Sequence, residues 1–224
     1  MTLSKQYTEF EQARCECFKL LAACFYQPGK DALLEEKTLE GLSGLLRRVC
    51  PEAALSASTM RDALLKYSNE ELLIEYAKLF VGPFELKAAP YGSVYLDDGR
   101  KIMGDSTLEV TKIYKEEGLA LDENFKELPD HIAAELEFMY YLAYQEVEAL
   151  EKNDTEKAAH FLNRQEYFLR TFLGRWVAPF CEKIKQGTEN EFYQALADCL
   201  AMFITKTNFS DAMPEELKAG LAQA

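Results

Sequence analysis

The chain has 224 residues, of which 48% are hydrophobic and 28% charged, with seven prolines and eleven glycines. That is enough material for a real core and excludes a disordered or fibrous chain. A formal net charge of −13 argues against nucleic acid and anionic membrane as partners and favours cationic ones.

Helical spacing dominates from the start. Phe18, Leu21 and Phe25 recur at three and four residues before Pro28-Gly29, which predicts a first helix. A leucine-rich second segment runs over 32–49 and ends before Pro51. Ser68-Asn69-Glu70-Glu71 is a capping box, serine oxygen to backbone N–H and glutamate back to the serine. It predicts a helix carrying Leu72, Leu73, Tyr76, Leu79 and Phe80 up to Gly82-Pro83. Residues 84–103 break the pattern with Pro90, Gly92 and the turn Asp97-Asp98-Gly99, yet hold Phe84, Tyr91, Val94, Tyr95 and Ile102. A long central loop of that aromatic content is expected to be ordered and functional.

Ser106-Thr107-Leu108-Glu109 predicts a second capping box, opening a helix that ends near Gly118. Residues 119–128 read as a linker. A helix then starts at Pro129, suited to a first turn, with Ile132, Leu136, Met139, Tyr140, Ala143, Val147 and Leu150 along one stripe. Another begins at 153–156 and carries Phe161, Phe168, Phe172, Trp176 and Phe180. Thr188-x-x-Glu191 caps a helix with Phe192, Leu196, Leu200 and Phe203, and residues 213–221 are read as a short final helix. No strand alternation stands out. The fold class is all-α: a single helical bundle, or two helical halves joined by a hinge at 119–128. Such a hinge would permit a domain-swapped dimer as well as a monomer.

Catalytic motifs are sparse. There is no Gly-x-Gly-x-x-Gly, no phosphate loop and no Gly-x-Ser-x-Gly elbow. Neither His131 nor His160 follows a glutamate by three residues, so a di-iron carboxylate bundle is not supported. The six cysteines form no Cys-x-x-Cys pair, and most sit in apolar helical patterns as small hydrophobes. We expect no metal and no cofactor. Residues 1–10 lack a basic-then-apolar export signal, and the apolar run 20–26 is too short to span a bilayer. The expected location is the cytoplasm, with reduced thiols.

Two places stand out. The loop Ala89-Pro90-Tyr91-Gly92-Ser93-Val94-Tyr95 is either a plug on the bundle surface or the edge of an apolar groove. Pro129-Asp130-His131 is either a helix cap, with Asp130 at the positive helix end, or a polar contact at a cleft rim. A third feature is the stretch 116–156, where thirteen acidic residues face only Lys126 and Lys152. It is a solvated face or a surface for a cationic peptide. Trp176 is read as a buried anchor.

These segments together resemble the TorD/DmsD family of redox-enzyme maturation chaperones. The matching residues are Tyr76-x-x-Leu79-Phe80-Val81-Gly82-Pro83, the loop from Ala89 to Asp97, Gly104-Asp105-Ser106-Thr107, and Pro129-Asp130-His131 followed by Glu135-Leu136-Glu137-Phe138-Met139. The pattern from Phe172 through Trp176 to Phe180 and Phe192-Tyr193 also fits. The form of the loop and of Gly-Asp-Ser-Thr looks closer to the DmsD branch. Two positions depart: Ala89 stands where the family commonly has a first proline, and Tyr91 where tryptophan is frequent.

The resemblance implies an all-helical, non-enzymatic cytoplasmic chaperone. Its partners would be the catalytic subunit of a molybdopterin-dependent oxidoreductase, its twin-arginine leader and components of the Tat translocase. It implies assistance with cofactor loading and folding before export. Carried over by position, the peptide-binding residues would be Tyr76, Phe80, Pro90, Tyr91, Ser93, Tyr95, Asp130 and His131. Competing readings are an assembly subunit of the mature oxidoreductase and, behind it, a nucleotide-hydrolysing enzyme using Asp130 and His131.

Overall fold

A computed structural model describes residues 3–82, 86–207, 213 and 217. Among them are eleven α-helices: α1 (Leu3–Ala23), α2 (Lys30–Glu35), α3 (Thr38–Val49), α4 (Pro51–Lys66), α5 (Asn69–Tyr76), α6 (Ser93–Leu96), α7 (Asp105–Glu116), α8 (Ile132–Glu151), α9 (Thr155–Thr171), α10 (Leu173–Gly187) and α11 (Glu191–Lys206). No strand occurs among the described residues, only an isolated antiparallel bridge between Tyr91 and His131. The fold is all-α, as the periodicity predicts.

The long helices close a ring. Helix α1 packs on α8 and α3, α3 on α4, α4 on α11, α11 on α10, α10 on α9, and α9 back on α8. The core fills this ring: Phe18 meets Phe203 edge to face at 4.9 Å, and Phe25 lies 5.8 Å from Phe180. Because α1 touches neighbours on two sides, it buries Tyr7, Glu11 and Arg14 as well as Cys17, Phe18 and Leu21. Most of the buried side chains of α4 are small: Ala53, Ala54, Ala57 and Ala63. They let its backbone approach α3 and α11 closely. All six cysteines are buried and free; burial pushes the Cys15 and Cys24 thiols up to about 12. No described helix is long and apolar enough to cross a membrane.

Several boundaries differ from the sequence reading. Helix α4 was not anticipated; Pro51 opens it at the first helical position, where a missing N–H costs nothing. The segment from 155 to 187 is two helices, broken at Phe172 (φ −122°, ψ −95°). A Cβ on Gly174 would stand 2.5 Å from the Leu169 carbonyl oxygen, so only glycine fits the close approach of the two helices there. Helix α8 starts at Ile132, not at Pro129, because Pro129 and Asp130 form a turn closed by His131 N–H to the Leu128 carbonyl, and the bridge holds His131 extended as the N-cap. Helix α7 starts at Asp105, with Ser106 inside it. Helix α11 is capped by Asn190 instead of Thr188. The Ser68/Glu71 capping box is present in both directions. The expected final helix at 213–221 falls, apart from Met213 and Leu217, outside the described residues, as do Pro83 and Phe84.

Candidate functional site

The site is built where the central loop meets the start of α8. Helix α5 runs into a π-helical turn, Ala77–Val81, that buries Leu79 and Phe80. After residue 86 the chain reaches Pro90 and pairs with 130–132. Ile132 N–H donates to the Pro90 carbonyl at 2.9 Å, and Gly92 N–H to the Asp130 carbonyl at 2.8 Å. The Asp130 carboxylate accepts from Ser93 N–H at 2.8 Å. His131 Nδ1 accepts from Ala133 N–H at 3.2 Å.

Trp176 is the floor beneath this joint. It is fully buried, donates from its indole N–H to Glu135 at 2.9 Å, and stacks on Tyr95 at 5.7 Å and 17°. Gly92 lies directly over it: a Cβ there would sit 3.0 Å from the indole nitrogen and 3.1 Å from Glu135 Oε1. The far end of the loop is held by Asp97. Its carboxylate accepts from Ser106 N–H and from Ser106 Oγ at 2.9 Å, at the positive end of α7. A Cβ on Gly104 would fall 1.9 Å from that carboxylate. The Gly-Asp-Ser-Thr tetrapeptide is thus the seat for Asp97.

Charge is poorly solvated here. Burial raises Glu135 well above the usual carboxylate range, against the Trp176 hydrogen bond that lowers it. Glu135 Oε1 and Asp130 Oδ1 are buried without hydrogen-bond partners. Burial lowers His131 to about 4, outweighing Glu127 and Asp130, which raise it. The imidazole is therefore neutral at pH 7, as its acceptor role requires. The folded value lies below the ordinary 6.5, so the unfolded chain binds the proton more tightly. Stability from this group is complete above pH 6.5 and lost as pH falls toward 4, by about 2 kcal/mol at pH 5. Imidazole NMR should give a His131 midpoint near 4; a midpoint between 6 and 7 contradicts this burial.

Of the eight residues carried over, Phe80, Pro90, Ser93, Asp130 and His131 are buried, while Tyr76, Tyr91 and Tyr95 are half-buried. The structure brings Pro90, Tyr91, Ser93, Asp130 and His131 together in one joint. Tyr76 lies beside Phe80, ring centroids 5.2 Å apart. Tyr95 faces the other side of the loop. Asp130 holds the loop rather than the start of α8, so its hydrogen bond goes to Ser93 and not to the helix it precedes.

From Tyr91 and His131 of this joint a row of rings continues to two residues that the sequence motifs do not single out, Tyr26 and Phe125. Four rings run in series: Tyr26 to Phe125 at 6.1 Å, Phe125 to His131 at 6.0 Å, and His131 to Tyr91 at 5.5 Å. A carboxylate sits at each end. The Tyr26 hydroxyl donates to Glu137 at 2.6 Å, and the Tyr91 hydroxyl donates to Glu127. Both glutamates are exposed. Each phenol fixes one carboxylate and leaves its remaining lone pairs open. Glu127 and Glu137 belong to the acidic stretch 116–156, so that stretch and the aromatic loop do meet in space. Tyr26 and Phe125 carry no motif; Tyr26 follows the end of α1 and Phe125 lies between α7 and α8, so only packing brings them together.

An all-helical ring with an aromatic, acidic face places the described residues in the all-α class. A family model described as nitrate reductase delta subunit matches residues 47–182. The chain is 31% identical over 201 residues to the chaperone protein TorD of Vibrio parahaemolyticus, covering 87% of this chain and 92% of that one. It is 28% identical over 157 residues to the Tat proofreading chaperone DmsD of Salmonella typhi, with 70% of each covered. A crystal structure of a chain described as a redox enzyme maturation protein from Archaeoglobus fulgidus shares the fold, with a TM-score of 0.56 at 22% identity over 86% of this chain and 94% of that one. The chain belongs to the TorD/DmsD family of redox-enzyme maturation chaperones. It is a chaperone for redox-enzyme maturation.

Proposed function

We propose that this chaperone binds the twin-arginine leader of a molybdopterin-dependent oxidoreductase catalytic subunit, in the cytoplasm and before export. The observation that carries the proposal is the row Tyr26, Phe125, His131 and Tyr91 between Glu137 and Glu127. A leader of this kind is a cationic pair followed by an apolar helix. Carboxylates held by phenols suit guanidinium groups, which favour paired charge-assisted hydrogen bonds. The rings of Tyr26, Phe125 and Tyr91 supply cation–π contact and a seat for apolar side chains, with the buried His131 ring between them. By holding the leader, the chaperone keeps the subunit from export while its cofactor is loaded.

The buried members of the carried-over set act through the joint. Pro90, Ser93 and Asp130 fix the loop that presents Tyr91, and Phe80 packs beneath Tyr76. They are positioning residues in this reading, whereas Tyr91 and the exposed edge of the ring row touch the peptide.

Calorimetric titration of the full chain with a synthetic twin-arginine leader tests this. Saturable binding is expected that weakens as salt rises and is lost when both arginines become glutamine. Binding that ignores both changes contradicts the charge account. The family description as a delta subunit favours a second reading, an assembly subunit that binds the folded enzyme without its leader. A complete lack of leader binding leaves that reading standing.

A further inference from the structure

The far side of the central loop has the opposite electrostatic character. Between the loop and the C-terminal end of α10 lies a cleft of about 590 Å³. Its cations are Lys87, Arg100 and Lys183, and its apolar wall includes Val94, Tyr95 and Ile102. Lys87 Nζ donates to the Gly187 carbonyl at 3.0 Å. Neither Arg100 nor Lys183 forms an ion pair with a described acidic residue. Arg100 stands at positive φ, 52°, at the end of the Asp98–Gly99 turn, with its charge near the Tyr95 hydroxyl, which it favours as the phenolate against the stronger opposing effect of burial. Ile102 is 47% exposed at the mouth.

Three cations and no described carboxylate line this cleft, in a chain of net charge −13. Elsewhere on the surface, cations such as Lys66 and Lys185 lie against Glu191 and Asp198. We propose that this cleft is a docking site for an acidic polypeptide segment in which carboxylates alternate with apolar side chains. The cations supply the charge contacts, and Val94, Tyr95 and Ile102 the apolar ones.

Two observations favour an extended acidic chain over a compact phosphate group. The cleft opens at the carbonyl end of α10, which offers none of the free N–H groups that cradle a phosphate, and a chain can place its carboxylates on the cations away from that negative pole. One of its three cations is already committed to a carbonyl of that end. Charges spread along an apolar wall fit carboxylates spaced along a chain. The leader, being cationic, belongs on the opposite face, so the two faces of one loop would discriminate by sign.

The test uses the full chain and a short fluorescent peptide of glutamates interspersed with leucine and isoleucine, followed by anisotropy. The same peptide with lysine for glutamate is the control. Saturable binding of the acidic peptide alone is expected, weakened about tenfold or more by the double variant Arg100→Glu/Lys183→Glu. That variant should keep its helical circular dichroism and its affinity for a twin-arginine leader. Binding that survives the double charge reversal overturns the proposal, as does equal binding of the lysine peptide or no binding at all. Displacement by inorganic phosphate or pyrophosphate would also overturn it, by reassigning the cleft to phosphate. Because leader affinity is read separately, failure here is distinguishable from failure of the leader reading.

Discussion

Replacing Trp176 by alanine is expected to lower the unfolding free energy by about 3–5 kcal/mol, the range for a fully buried aromatic. The indole contributes in two ways. Its volume fills the space among Tyr95, Phe180 and Gly92. Its N–H is also the hydrogen-bond donor to Glu135, whose other oxygen already lacks a partner. Trp176→Phe separates the two. It keeps most of the ring and loses only the donor, so it should cost about 1–3 kcal/mol. Urea denaturation followed by circular dichroism at pH 7 reads both. This is the one tryptophan of the chain, so its own fluorescence cannot report on these variants. In the alanine variant the amide of Ser93, whose N–H donates to Asp130 over this floor, should also exchange faster with solvent. A loss below about 1 kcal/mol in Trp176→Ala would mean that the loop does not rest on it.

Arg14→Met is expected to destabilise by about 3–5 kcal/mol at neutral pH, because it removes the cation from its buried ion pair with Glu11. Arg14 is 1% exposed and lies between Glu11 and Glu146, neither of which is exposed. Its Nε donates to Glu11 at 2.7 Å, its Nη2 lies 2.5 Å from the same oxygen, and Nη2 also donates to Gln165. Glu146 is 3.9 Å from the guanidinium and is served mainly by the Tyr7 hydroxyl at 2.8 Å and by Gln165 Nε2 at 2.6 Å. Burial, reinforced by Glu11 and only partly countered by Arg14, raises Glu146 to about 8. The folded chain therefore keeps a proton that the unfolded chain has lost between about pH 4.5 and 8. This contribution to stability is full at the acid end and fades as pH rises through the window. Without Arg14 the Glu146 carboxyl is still harder to ionise, so the cost of the substitution should grow from pH 5 to pH 8. Replacing Glu11 and Glu146 by leucine in the same variant should restore most of the loss. A pH-independent cost in Arg14→Met alone would contradict this electrostatic origin.

The fold was readable where local chemistry acts alone. Ser68 and Glu71 cap each other within four residues, and the stripe on α8 follows from spacing. Helix α4 escaped because its inward face is mostly alanine, which gives little apolar contrast despite close packing. The break at Phe172 was hidden because the aromatic stripe continues across it; what forces it is the Leu169 carbonyl against Gly174. Thr188 and Ser106 looked like caps, but Asn190 takes the first role, and Asp97, eight residues before α7, serves the second. The site divides in the same way. The loop and Pro129-Asp130-His131 were visible as motifs, and they do meet. Tyr26 and Phe125 were not, since they join the ring row only through tertiary packing. Glu127 and Glu137 were present only as two of thirteen acidic residues in a stretch. Their selection comes from the hydroxyls of Tyr91 and Tyr26. The change of sign across the loop is likewise invisible in sequence, where Arg100 is five residues from Tyr95 and Lys183 lies far along the chain.

The central claim is that the ring row with its two carboxylates receives the leader. The most direct test is to repeat the leader titration on the double variant Glu127→Gln/Glu137→Gln, which keeps both side-chain shapes and removes both charges. The account predicts an unchanged fold, affinity lower by about tenfold or more, and a much flatter dependence on salt. Affinity and salt dependence equal to those of the unmodified chain would contradict it and move the leader to another face of the molecule.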